Sequence, residues 1–198
     1  MRSHVPSQAG GPHGAAGVVF GWLMAWINGP SYRHAAKMLD PQAEDWILET
    51  GFGTGHLAAR LARVTTQGMV CGVDPSDLMV RTAQRRVAGL RADLRKGTAD
   101  ALPWPDSRFD KAAALHNFQF WPDPARGLQE VRRVLKPGGL FLILLRDHEG
   151  KTLQNLPNSI SRSGREADGT IAALRDTGFQ DVQRLANFDE APVICARR

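Results

Sequence analysis

Residues 46–62 read WILETGFGTGHLAARLA. A short apolar run, Trp46-Ile47-Leu48, ends at Glu49-Thr50-Gly51 and leads into the turn Gly51-Phe52-Gly53-Thr54-Gly55. His56-Leu57-Ala58-Ala59-Arg60-Leu61-Ala62 then carries helical spacing. The succession is a buried strand, a glycine-rich turn and a helix. Glycines let such a turn bend sharply and lie against a ligand with no Cβ in the way. On its own the motif serves equally as a structural turn or a binding loop.

Downstream, the same alternation continues. Met69–Val73 reads as a second strand stopping at Asp74, and Pro75-Ser76 open a helix to about Ala88. Proline near a helix start costs little, because its missing N–H would have no partner there. Leu90–Lys96 is a third, polar strand and Phe109–Leu115 a fourth. Pro122-Asp123-Pro124 starts a helix with Leu128, Val131, Val134 and Leu135 on one face, stopped by Lys136-Pro137-Gly138-Gly139. Leu140–Leu145 (LFLILL) is the most apolar run and reads as a fully buried central strand. Residues 147–165 are a polar loop, Thr170–Thr177 a helix ended by Gly178, and Phe179–Leu185 and Pro192–Ala196 the final strands. This order predicts an α/β fold: a Rossmann-like three-layer α/β/α sandwich on a mostly parallel seven-stranded sheet. The last two strands lack a helix between them, which predicts an antiparallel C-terminal hairpin at one edge.

Upstream, residues 1–14 have the Gly, Pro and Ser content of a disordered segment. Residues 15–40 read as an N-terminal helical cap. Val18, Trp22 and Trp26 share one helix face, Asn28–Ser31 reads as a turn, and a second helix runs from Ser31, as N-cap, to Leu39. The apolar run Ala15–Ile27 mimics a signal-peptide core, yet no A-x-A cleavage pattern follows it. Its thirteen residues are also too few to span a bilayer. The expectation is a single cytoplasmic domain over residues 1–198 with no membrane span.

Composition agrees with a globular chain, at 42% hydrophobic and 23% charged residues. The net charge of +5 raises nucleic acid as a partner. The arginines, however, are interleaved with Asp and Glu along the chain, which favours a solvated basic face, so no nucleic-acid partner is expected. Cys71 and Cys195 lie in apolar runs without zinc-like spacing, so buried reduced thiols and no metal are expected.

Asp74 sharpens the reading of the glycine turn. It lies nineteen residues after Gly55 at the end of the second strand, where a carboxylate can accept hydrogen bonds from both ribose hydroxyls. NAD is the competing ligand, and its fingerprint is GxGxxG. Here the last glycine position of that fingerprint holds His56, and Glu49 puts negative charge where a pyrophosphate would lie. A cationic sulfonium and an amino group suit the position better.

Five stretches in order now matter: WILETGFGTGHLA, VCGVDPSDLMV, GTADALPWPDSRFD, FWPDP and EVRRVLKPGG. Together they resemble the class I S-adenosylmethionine-dependent methyltransferases, specifically the ubiquinone/menaquinone-biosynthesis-like group, from about residue 17 onward. The resemblance implies S-adenosylmethionine as cofactor, with Glu49, Gly51, Gly53 and Gly55 around its methionine part. Asp74 would hold the ribose, Met79 would pack on the adenine, and Thr98 and Ala99 would border it. The family usually has Asp where this chain has Thr98. His116 would border the methionine moiety and the acceptor.

Methyl transfer from a sulfonium is an in-line displacement, in which the protein mainly aligns the reactants. A base is needed only when the acceptor must lose a proton. His116 is the first candidate and His148 the second. The acceptor pocket is expected to draw on Trp22, Trp26, Tyr32, Asn117, Phe118, Phe120 and Trp121. HNFQF at 116–120 lacks the prolines of an Asn-Pro-Pro-Tyr motif, which disfavours nucleic-acid base amines. The short 147–165 loop predicts an open pocket for a small-molecule acceptor, apolar or aromatic. A non-catalytic cofactor-binding or interaction protein that keeps the fold is the alternative.

Overall fold

The computed structural model describes residues 29–145, 165–188 and 191–198. Helix α1 (Gly29–Leu39) precedes β1 (Trp46–Thr50), α2 (His56–Ala62), β2 (Met69–Asp74), α3 (Asp77–Arg86) and β3 (Ala92–Lys96). Then follow β4 (Phe109–Leu115), a 3-10 turn (Phe118–Phe120), α4 (Pro124–Val134) and β5 (Leu135–Leu144). Helix α5 (Arg165–Asp176), β6 (Gln180–Phe188) and β7 (Ala191–Arg197) complete the order.

The seven strands form one sheet in the order β3-β2-β1-β4-β5-β7-β6. Strands β1 to β5 pair in parallel, and β7 runs antiparallel to both β5 and β6. This is the expected Rossmann-like sandwich with its C-terminal hairpin. Successive residues of a strand point to opposite faces, and β1 shows the consequence. Ile47 packs with Leu39 of α1, Leu57 and Leu61 of α2 and Ala83 of α3. Leu48 packs on the other face, where Leu128 and Val131 of α4 and Leu174 of α5 meet Phe141.

Three local readings change. Ser31 is a buried residue inside α1 rather than its N-cap, so the residues read as a turn continue the helix back to Gly29. Helix α5 begins at Arg165, inside what reads as a polar loop. Lys136-Pro137-Gly138-Gly139 does not stop α4, which already ends at Val134. These residues lie within β5, where the register with β4 jumps from Phe109↔Leu135 to Lys111↔Leu140. The insertion behaves as an irregular bulge, a place where strands admit proline and glycine. Of the two thiols, Cys71 is buried and pushed up to about 12 by burial, while Cys195 is only half-buried.

Many arginines serve as backbone clips. Arg133 donates to the carbonyls of Trp104 (2.9 Å) and Leu102 (3.1 Å) and pairs with Glu130 (2.7 Å) and Asp106 (2.7 Å). Arg126 donates to the Asp100 carbonyl at 2.9 Å. The segment that carries Thr98 and Ala99 is thereby fastened to α4. Arg133→Ala should lower stability by about 1–2 kcal/mol, the range for charge-assisted bonds discounted for partial exposure. Thermal unfolding would show it as a melting point lower by roughly 2–8 °C, and an unchanged melting point would remove the clip.

Candidate active site

In an open α/β sheet, ligands settle beyond the carboxyl ends of the strands where the strand order reverses. Here that place is between β1 and β4, and the glycine turn sits on it. Its entry is fastened by the Gly51 amide, which donates to the Val73 carbonyl at 2.7 Å. Phe52 is buried, its ring lying against Gly72 of β2, where any Cβ would come within 2.8 Å of it. Arg86 holds the far side of the turn, donating from Nε to the Thr54 carbonyl at 2.8 Å.

The three glycines all have positive φ, at 62°, 53° and 76°, but they differ in what a side chain would meet. A Cβ on Gly51 would lie 2.7 Å from Asn117 Cγ, and one on Gly55 would lie 2.7 Å from Ala83 Cβ. A Cβ on Gly53 meets nothing within 4 Å. Gly51 and Gly55 are therefore needed for packing within the chain, whereas Gly53 faces open space.

Two carboxylates lie beneath this turn. Asp74 is 7% exposed, and its Oδ2 accepts from the Gly53 amide at 2.9 Å while Oδ1 accepts from the Ser76 amide at 2.9 Å. Burial raises its pKa, and those two amides oppose the rise. A carboxylate offers about four acceptor positions, so two remain. Glu49 is 2% exposed, on the β1 face covered by α2. Burial first and the neighbouring Asp74 charge second push it up to about 8, with the Ala58 amide pulling the other way. Its Oε2 is buried with no hydrogen-bond partner.

At the end of β4 the chain turns through His116, whose φ of 55° is uncommon for a residue with a Cβ. Its amide donates to the Leu144 carbonyl at 2.8 Å and its side chain is half-buried. Asn117 gives its amide hydrogens to the Thr50 (2.7 Å) and Leu115 (3.0 Å) carbonyls and accepts the Trp121 indole N–H at 2.9 Å. Asn117 thus brackets the ends of β1 and β4. Trp121 is buried, its ring pressed where a Gly127 side chain would stand. Both side chains are thus engaged within the fold. Phe118 is buried as well, whereas Phe120 remains half-buried.

Met79 is buried in the first turn of α3, which Ser76 caps. Ala99 is buried and Thr98 half-buried. Tyr32 of α1 is half-buried and stacks parallel to the His56 ring at 5.9 Å. Burial and the nearby Arg86 lower the His56 pKa. Trp22, Trp26 and His148 lie outside the described residues. Sequence reasoning missed Gly72, Arg86 and Gln119. Only Gly72 carried a signal, a glycine within an apolar strand.

The donor set identifies what fits. Two buried carboxylates, one with an orphaned oxygen, under an open glycine backbone suit a ligand carrying positive charge and vicinal hydroxyls. A pyrophosphate there would face two carboxylates. No group of three or more His, Cys, Asp or Glu able to hold a metal occurs among the described residues. No helix among them is long and apolar enough to cross a membrane.

Comparison with known proteins agrees. A family model described as a methyltransferase domain matches residues 47–139. The chain is 28% identical over 180 residues to the uncharacterized methyltransferase YdaC of Bacillus subtilis, covering 90% of this chain and 96% of that one. It is 39% identical over 117 residues to a demethylmenaquinone methyltransferase of Desulfitobacterium hafniense, covering 57% of this chain and 46% of the relative, so it spans about half of that protein's length. A solved S-adenosylmethionine-dependent methyltransferase from Aquifex aeolicus shares the fold, with TM-score 0.74 and 21% identity over 87% of this chain and 92% of that one.

Fold, turn and relatives together define a class I S-adenosylmethionine-dependent methyltransferase, an enzyme whose cofactor is S-adenosylmethionine. Within that class its sequence is similar to the demethylmenaquinone methyltransferases over 57% of this chain.

Proposed function

We propose that the protein methylates a small apolar or aromatic acceptor, of the quinol type suggested by its demethylmenaquinone methyltransferase relative. The carrying observation is the buried pair Glu49 and Asp74 beneath the glycine turn. Glu49 would face the positively charged methionine end of S-adenosylmethionine, and the two remaining acceptor positions of Asp74 would take the ribose hydroxyls. Gly53 would let the cofactor lie against bare backbone, with Met79, Thr98 and Ala99 around the adenine. The cofactor supplies an already activated methyl group, so the chain's own work is alignment and exclusion of water. His116, held in its unusual conformation at the mouth of the site, would take the proton of an acceptor that must lose one. Tyr32 and Phe120 would border the acceptor.

We read the protein as cytoplasmic and free of nucleic-acid partners. The arginines that clip backbone carbonyls support a structural use of its positive charge. The direct test is calorimetric titration with S-adenosylmethionine, S-adenosylhomocysteine and NAD, followed by an acceptor screen. Binding of the first two with turnover of a phenol or quinol supports the reading, and binding of NAD alone overturns it.

The glycines give a sharper test of the cofactor's position. Gly53→Ala should weaken S-adenosylmethionine binding by about tenfold or more, because its methyl group projects into the cofactor's space. Its cost in stability should be only about 1–2 kcal/mol, from the left-handed backbone. Gly55→Ala carries the same backbone cost and also clashes with Ala83, adding about 1–3 kcal/mol. Paired melting and titration curves distinguish the two. Unchanged affinity in folded Gly53→Ala would refute close approach.

A further inference from the structure

We infer that Gln119 is the residue that recognises a hydroxyl group on the acceptor. The proposal rests on the acceptor site lying at the end of β4, and it adds a residue and a chemical requirement to that site. Gln119 is the middle residue of the 3-10 turn that follows His116 and Asn117. Its Nε2 donates to the His116 carbonyl at 3.3 Å, which fixes which end of the amide is nitrogen. Its Oε1 is buried and has no hydrogen-bond partner. A buried acceptor without a partner is unfavourable, and folded proteins rarely keep one without a reason.

The surrounding residues show why this oxygen is not a structural bracket. Asn117 already fastens the turn, through the Thr50 and Leu115 carbonyls and the Trp121 indole. The turn's backbone is closed by the Phe120 amide on the Asn117 carbonyl (2.8 Å) and the Trp121 amide on the Phe118 carbonyl (3.2 Å). The fold is thus satisfied without Oε1, which stays fixed in orientation and short of a donor. In the turn Gln119 stands between Phe118, which is buried against Trp121, and Phe120, which is half-buried. A neutral acceptor shielded from water selects a ligand bearing O–H, and discriminates against its ether, which has no hydrogen to give. In a ring that becomes methylated, the contact fixes which ring atom is turned toward the methyl donor.

The test uses the full chain and Gln119→Met, which keeps length and volume but has no amide. Binding of S-adenosylhomocysteine, of 1,4-naphthohydroquinone and of 1,4-dimethoxynaphthalene is titrated in both, alongside melting curves. The inference expects equal S-adenosylhomocysteine affinity and a melting point in Gln119→Met at or above that of the wild type. It also expects hydroquinone binding weakened by about tenfold, the scale of one desolvated hydrogen bond, with the dimethyl ether weak in both proteins. Equal hydroquinone affinity in both proteins overturns it. So does a clearly lower melting point or lost S-adenosylhomocysteine binding in the variant, either of which would make the amide structural. If neither ring compound binds the wild type, the hydroxyl-recognition role falls, and intact S-adenosylhomocysteine binding leaves the cofactor reading standing. Loss of that binding in the wild type overturns the cofactor reading separately.

Discussion

Asp74→Ala should weaken S-adenosylmethionine binding by about ten- to 150-fold, corresponding to the 1.5–3 kcal/mol of hydrogen bonds made to a charged group. The structure gives two reasons to expect the upper end. The carboxylate is the proposed partner of the ribose hydroxyls, and it also holds the Gly53 amide at 2.9 Å and the Ser76 amide at 2.9 Å. Removing it leaves two backbone donors without acceptors and releases the glycine turn from β2, so the cofactor meets a looser cradle. S-adenosylhomocysteine has the same ribose and should lose affinity by the same factor. The control is Asp77→Ala. Asp77 lies only three residues on, but it is exposed and bonds Lys96 at the surface, so its replacement should leave both affinities unchanged. Calorimetric titration of the three proteins decides the matter. An Asp74→Ala protein that binds within twofold of wild type would remove the ribose assignment, and equal losses in both variants would mean a non-specific effect.

That both acids of the site could be named from sequence follows from where they stand. Glu49 is the last but one residue of β1 and Asp74 the last of β2, and a parallel sheet lines up its carboxyl ends. Strand–turn–helix order therefore brings them under the same glycine turn. The regular elements were legible for a related reason. Helix α2 has the expected bounds because Gly55 stands at its border and apolar periodicity within leaves little choice, and strand β4 has them as a mostly apolar run between polar residues. What escaped the sequence depends on contacts distant along the chain. Asn117 and Trp121 read as polar and aromatic pocket residues, and only the folded chain shows the first bracketing β1 and the second filling the space beside Gly127. Gly51, Gly53 and Gly55 are indistinguishable as letters, and only Asn117 and Ala83 separate the two that serve packing from the one that faces open space. The Arg86 clip on Thr54 joins residues 32 apart, and no local pattern marks it. The bulge at 136–139 escaped because a Pro-Gly-Gly sequence is a general stop signal. Only the register of β4 against β5 shows that the strand resumes across it.

Glu49 carries the second large effect, and its sign is the reverse of the usual carboxylate. Its pKa is raised from 4.5 to about 8, chiefly by burial and next by Asp74. Between those values the folded chain holds a proton that the unfolded chain has lost. Stability is therefore greatest below the unfolded value and falls as pH rises toward about 8, by up to about 1.4 kcal/mol per pH unit. Glu49→Gln should abolish that slope and make the cofactor-free protein more stable than wild type at pH 8. Binding should respond in the opposite direction. A sulfonium and an ammonium beside Glu49 favour its charged form, so S-adenosylmethionine binding near pH 7 should release up to one proton and tighten from pH 6 to pH 8. In Glu49→Gln the release should vanish and the affinity at pH 8 should fall by roughly ten- to a hundredfold, since a desolvated charge partner is lost. Titrations in two buffers of different ionisation enthalpy count the proton directly. Release that persists in Glu49→Gln would assign it to another group. No release in wild type would place the cofactor's positive charge away from Glu49, leaving its buried carboxyl without the role that best accounts for an orphaned oxygen at the end of β1.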